Sequence, residues 1–250
     1  MLSAHSCTSF FSTIMNASIR KFTFFLTACL LAGSAMHAAE QDNWYLANEW
    51  TVSGASGVAY YEDNSTGIGQ IYIAVANGSS SKIIVYDLNG SSVRDINIAT
   101  ERWSALDLAI GDNGVIYIGE YYAVTCLEND GTFKWRTGKN ASISNRGSDG
   151  GGNGEFFEAS GITLNQTSGE IFVADKSNSR IQVLDQNGTF VRKFGSFGSA
   201  PGQLRRPRDL VFLKDSTLLV ADDYFIHYFQ TDGTFIKRVN VPTARYRISI

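Results

Sequence analysis

The chain has 250 residues, with 21 Lys and Arg against 24 Asp and Glu and a formal net charge of −3. That balance argues against a broad electrostatic platform for nucleic acid. Its three histidines and three cysteines lie mostly near the N-terminus, which leaves too few for a His-rich zinc site, a Ser-His-Asp triad or a disulfide framework.

In chain order the first element is a targeting segment. From Met15, the preferred start because residues 1–14 add no charge, the basic pair Arg20 and Lys21 precedes an apolar run from Phe22 to about Ala35. Gly33, Ser34, Ala35, Ala38 and Ala39 supply the small residues of a secretory cleavage site. Residues 1–39 are therefore expected to be a signal peptide, with Met1 as the other start, and the mature chain is expected to begin between Met36 and Asp42. The run is too short to span a bilayer. Leu26-Thr27-Ala28-Cys29 offers a second reading, a lipoprotein signal with Cys29 lipidated, although the apolar Leu30-Leu31-Ala32 after it is atypical. Export implies a secreted, periplasmic or extracellular protein. Removing Arg20 and Lys21 takes the net charge from −3 to −5 and leaves Cys126, in an apolar run, as a small buried hydrophobe.

The rest, residues 40–250, reads as one repeat domain. Leu88-Asn89-Gly90-Ser91, Asn129-Asp130-Gly131-Thr132, Gln186-Asn187-Gly188-Thr189 and Thr231-Asp232-Gly233-Thr234 recur about every 45 residues, a period of solenoids and propellers. Each Asn-Gly or Asp-Gly pair is expected to supply the positive φ angles of a tight hairpin. A second register agrees. Gln70–Ala74, Val115–Gly119, Glu170–Ala174 and Thr217–Ala221 each read as a buried strand closed by a small residue, and β-branched runs such as Arg180–Asp185 follow. With a strand before and a strand after, each unit is a four-stranded meander. The predicted fold is all-β, a β-propeller of four-stranded antiparallel blades, with four complete repeats at about 55–97, 103–137, 157–195 and 207–240. Strand-like pieces at Glu49–Val52 and Tyr246–Ile250 flank them.

Gly195-Ser-Phe-Gly198-Ser-Ala-Pro-Gly202-Gln-Leu204-Arg-Arg-Pro207-Arg-Asp-Leu210, followed by Leu219-Val220-Ala221-Asp222, resembles the NHL-repeat signature. So does the unit before it, from Gly150 through Phe156 to Phe172-Val173-Ala174-Asp175 and Asn178-Ser-Arg180-Ile181. The first two units diverge, with Val75 and Glu120 where the family's Asp would stand. The resemblance implies a propeller that commonly closes with more blades, often six. The chain is then an incomplete five- or six-bladed ring, an early-closing propeller, or an arc completed by a partner or further copies. It also implies a binding module for a protein, peptide or glycan; some relatives bind RNA, but the acidic balance and export argue against nucleic acid here.

The alternative class is a propeller enzyme. Similar lyases depend on several histidines, and this mature chain offers His227, placed in a strand as a structural imidazole. Lactonase-like propellers use an acidic site for calcium or another divalent ion, which would be the only cofactor; no metal ligand is assigned. Asp175, Asn178, Arg180, Asp185 and Asp222 recur in the repeat frame and are expected to tie loops and blades together, Arg180 pairing with Asp175 or Asp185. Loops from second to third strand and from blade to blade leave on one side and carry Trp103, Tyr121, Tyr122, Lys176, Arg205, Arg206 and Tyr224. These are the binding candidates, because Tyr, Trp and Arg dominate binding hot spots. Asn64, Asn77, Asn89, Asn140, Asn165 and Asn187 head Asn-x-Ser/Thr triplets that count as glycosylation sites only in a glycosylating host.

Overall fold

Side chains of a strand alternate between two faces, so a strand apolar at every position must be covered on both. The second strands of these repeats are of that kind, and the computed structural model of the chain shows what covers them. It describes residues 23–27, 49–53, 55–63, 66–77, 80–98, 105–142 and 145–241.

Four antiparallel sheets follow one another. Blade 1 comprises β3 (Ala55–Asp63), β4 (Ile68–Asn77), β5 (Ser80–Asp87) and β6 (Ser92–Asn97). Blade 2 comprises β7 (Ala105–Ile110), β8 (Ile116–Glu120), β9 (Val124–Leu127) and β10 (Phe133–Thr137). Blade 3 has β13 (Ala159–Leu164), β14 (Ile171–Asp175), β15 (Arg180–Leu184) and β16 (Phe190–Phe194), and blade 4 has β17 (Asp209–Phe212), β18 (Leu218–Ala221), β19 (Phe225–Phe229) and β20 (Phe235–Asn240). Every sheet is a meander in sequence order. Two short hairpins lie outside them, β1 (Thr23–Thr27) with β2 (Glu49–Ser53), and β11 (Ala141–Ser142) with β12 (Asn145–Arg146). Strand β1 falls inside the expected leader; Arg20, Lys21 and Cys29 lie outside the described residues, as does Tyr246–Ile250.

Alternation along β14 divides its side chains between two cores. Ile171 and Val173 join Val124, Cys126 and Phe156 between blades 2 and 3, whereas Phe172 and Ala174 join Leu210, Leu218 and Val220 between blades 3 and 4. A third core, with Tyr72, Ile83, Leu108 and Ile118, joins blades 1 and 2. A large apolar side chain fully buried in such a core contributes about 1.5–3 kcal/mol, so each sheet is stabilised mainly by its neighbours. Burial pushes the Cys126 thiol up to about 12, leaving it unreactive at neutral pH.

Innermost strands lie side by side, β3 on β7, β7 on β13 and β13 on β17. Glycine permits this approach: a Cβ on Gly57 or Gly161 would stand 2.8 Å from the Cα of Asp107 or Asp209 in the next blade. No inner-strand packing of that extent joins blade 4 to blade 1 among the described residues.

The hairpin turns differ from expectation in one respect. Only the glycines have positive φ, Gly90 at 84°, Gly131 at 91°, Gly188 at 79° and Gly233 at 93°, while the preceding Asn or Asp does not. The register shifts beside each turn, between Val85 and Tyr86, Phe133 and Trp135, Val183 and Leu184, and Tyr228 and Phe229. This is a turn closed by a bulge with one left-handed residue; the accepting carboxylate is the residue before the glycine in blades 2 and 4 and stands two residues before the Asn in blades 1 and 3. A side-chain oxygen of Asp87, Asp130, Asp185 or Asp232 accepts backbone N–H groups across the turn.

Candidate functional site

The loop side of blades 2 to 4 is built on one repeated device. At the end of the second strand stands a buried carboxylate: Glu120, Asp175 or Asp222. On the third strand stands its partner: Thr125 Oγ1 donates to Glu120, Gln182 Nε2 to Asp175 at 3.1 Å, and His227 Nε2 lies 2.8 Å from Asp222 Oδ2. Blade 1 has Val75 at this position, packed with Ile84 in an apolar cluster.

The carboxylates then hold loops. Asp175 accepts the Phe157 N–H at 2.9 Å, Asn178 Nδ2 at 3.0 Å and Arg180 Nε at 2.8 Å. Arg180 in turn donates to the carbonyls of Gly151, Gly152 and Glu155, so one ion pair fastens the whole loop between blades 2 and 3. Burial raises the Asp175 carboxyl against these donors. Asp185 takes no part in this tie; its Oδ1 accepts from Asn187 and Thr189 in the hairpin turn. Asp222 accepts the N–H groups of Arg205 at 2.9 Å and of Tyr224 and Phe225 at 2.8 Å. Burial pushes Asp222 up, but His227 and these backbone donors outweigh it and hold the carboxyl below its ordinary value. Glu120 is pushed up to about 7 by burial, which outweighs Arg136 at 2.6 Å and Thr125. Among the described residues no three His, Cys, Asp or Glu side chains group as metal ligands.

Two aromatic clusters crown this scaffold. Tyr121, 38% exposed, meets Tyr122 edge-on at 4.9 Å, and Tyr122 stacks on Phe157 at 6.1 Å. On blade 4 the guanidinium of Arg205 lies 5.5 Å from the ring centre of Phe197 and 5.6 Å from that of Tyr224. Phe197 is 70% and Tyr224 51% exposed. The loop that carries Phe197 is anchored by Leu204, which is fully buried and whose N–H and carbonyl bond to Ser196 and Gly198. Arg206 is exposed beside Arg205.

Of the candidates read from sequence, Tyr121, Tyr122, Arg205, Arg206 and Tyr224 thus reach the loop surface in two groups. Lys176 does not: it is buried, with Nζ on Glu158, whose other oxygen accepts from Ser177. Trp103 lies outside the described residues. Sequence reasoning passed over Phe157 and Phe197 because both sit in glycine-rich entry loops that read as repeat signature.

A succession of four-stranded antiparallel blades packed through their inner strands defines the chain as a β-propeller protein. Solved structures share that fold. The hydrazine synthase of Kuenenia stuttgartiensis matches with a TM-score of 0.53 at 14% identity, over 75% of this chain and 49% of that one. A functionally unknown protein from Desulfotomaculum acetoxidans matches with a TM-score of 0.53 at 19% identity, over 78% of this chain and 61% of that one. Residues 158–184, the heart of blade 3, match the NHL repeat. Over 89 residues, 34% of this chain, the sequence is 30% identical to the protein brain tumor of Drosophila melanogaster, of which the match spans 8%. The chain thus carries a stretch matching the NHL repeat in blade 3 of a β-propeller, and it spans less than two thirds of the length of each of these relatives. No helix among the described residues is long and apolar enough to cross a membrane.

Proposed function

We propose that this propeller is an exported interaction module that takes a protein or peptide partner on its loop side. The observation that carries the reading is the pair of exposed rings, Phe197 and Tyr224, held in place around Arg205 by hydrogen-bonded loops. Exposed aromatic and arginine side chains on a fixed frame supply contact area at small entropic cost. Selection of binders from an unbiased library of random linear peptides, against the full chain, tests it. Selected peptides are expected to lose affinity for Tyr224→Ala and Phe197→Ala variants that melt normally. Peptides that bind both variants as well as the parent contradict the reading.

Export rests on Arg20, Lys21, the apolar run after them and the small residues at 33–39. N-terminal sequencing of secreted chain is expected to find a first residue between Met36 and Asp42. An intact Phe22, or a lipid on Cys29, contradicts it.

A further inference from the structure

We infer that the loop side of blade 4 receives an acidic peptide segment, with a carboxylate on Arg205 and Arg206 and a neighbouring apolar side chain against Phe197 and Tyr224. This rests on the interaction-module reading and names the partner's chemistry.

Hydrogen bonding sets this place apart: Arg94 and Arg238 also lack a carboxylate, but they donate to Asn129 Oδ1 and to the Ser199 carbonyl, whereas the guanidinium groups of Arg205 and Arg206 donate to no protein oxygen among the described residues. Arg136, Arg180, Arg192 and Arg208 each close on a carboxylate, those of Glu120, Asp175, Glu170 and Asp223. Arg205 and Arg206 close on none among the described residues. The nearby carboxylates are already engaged. Asp222 holds its backbone donors and His227, and Asp223 Oδ1 takes Arg208 Nε at 2.8 Å and Nη2 at 2.7 Å. Arg205 Nε is shielded from solvent with no acceptor. In a chain of net charge −3, two uncompensated arginines side by side form a local anion site.

Comparison with blade 3 shows that the fold does not require them. Phe157 and Arg205 are equivalent, because each donates its N–H at 2.9 Å to the carboxylate that ends its blade's second strand. The next residues, Glu158 and Arg206, share a positive φ, 70° and 55°. Blade 3 fills the two positions with a ring stacked on Tyr122 and a carboxylate neutralised by Lys176. Blade 4 builds the same backbone and places two free cations on it.

The chemistry then selects the ligand. A guanidinium attracted to rings without donating to them keeps N–H groups for an oxyanion, and it pairs with carboxylate in two-point geometry. Asp222 fixes Arg205 and Tyr224 relative to each other, so little ordering remains for the partner to supply. Nucleic acid affinity accumulates over many phosphate contacts; two arginines on an acidic chain suit a peptide, whose apolar side chain also has use for the two rings.

Fluorescence anisotropy on the full chain tests this with three labelled peptide pools, centred on Glu-Phe-Glu, Gln-Phe-Gln and Lys-Phe-Lys, and with oligouridylate RNA. The acidic pool is expected to bind at least about tenfold tighter than the neutral one. The double variant Arg205→Gln, Arg206→Gln should lose about that factor, and added salt should weaken binding. Lys214→Gln, which removes a charge from an exposed turn on the other side, should change nothing, and melting curves confirm that each variant folds. Equal binding of acidic and neutral pools, indifference to the double variant, or preference for the RNA overturns the inference. Where the neutral pool binds as well as the acidic one and Tyr224→Ala abolishes it, the interaction-module reading survives and the anion site falls. No binding by any peptide, in these pools or in the unbiased selection, removes both.

Discussion

On the turn side, Gly131, Gly188 and Gly233 occupy one repeat position and lie against the preceding blade, where an added Cβ would come within 2.5–2.6 Å of Ile96, Trp135 or Phe194. One strand position clamps the same turns: Arg94 reaches Asn129 Oδ1, Trp135 Nε1 reaches the Gln186 carbonyl at 2.9 Å, and Arg192 Nη2 reaches the Thr231 carbonyl at 2.6 Å. On the loop side only the carboxylate recurs, and what it carries changes from blade to blade: Tyr121 and Tyr122, then a turn held by Asn178, then Tyr224 beside Arg205. The difference follows from what each end touches. Turns pack on a neighbour of fixed shape and are held to one chemistry; loop tips meet solvent and are free to vary once their carboxylate anchor is kept.

Four changes and one control break or sharpen that comparison. Asp175→Ala strips the buried Arg180 of its charge partner and unfastens the entry loop of blade 3, and should cost about 4 kcal/mol in urea denaturation. Peptide affinity of the surviving fold should be unchanged, since this residue belongs to the frame and not to the tips.

The Glu120 carboxyl gives the loop-side frame a pH signature. Its folded value of about 7 stands above its ordinary 4.5, so between these values the native state holds a proton that the unfolded chain releases. Stability from this group is therefore lost as pH rises through that window and is level above it, a change on the order of 3 kcal/mol. Glu120→Gln should flatten the slope in melts run from about pH 5 to about pH 8; an unchanged slope places the titrating group elsewhere.

Gly188→Ala combines a left-handed backbone with the Trp135 contact and should cost about 2 kcal/mol. Gly67→Ala is the control for the backbone alone, because φ is 66° there and nothing lies within 4 Å of the added Cβ; about 1 kcal/mol is expected. Equal costs would show that the turns are held by conformation and not by the neighbouring blade. Tyr224→Ala acts on binding alone, with a loss of about 1 kcal/mol or more at unaltered stability.

Periodicity alone made the sheets legible. Unbroken apolar runs such as Ile171–Ala174 required cover on both faces, and the recurring Asn-Gly and Asp-Gly pairs marked where each meander turned. The tie of Asp175 to Arg180 was half legible, since spacing left Asp185 as an equal partner until the turn claimed it. What spacing could not convey was contact between blades. Lys176 reads as an exposed cation in a loop, and only the left-handed backbone at Glu158 brings a carboxylate under it. Phe197 reads as signature, and its exposure follows from Leu204 taking the buried place in the same loop.

The central claim, that partners dock on the loop side and the turns serve assembly, is tested most directly by amide hydrogen exchange with and without a selected peptide. The account predicts slowed exchange at 195–208 and 222–225 and no change at 128–132, 185–189 and 230–234. Protection confined to those turns, with the loops around Phe197 and Tyr224 unaffected, would contradict it.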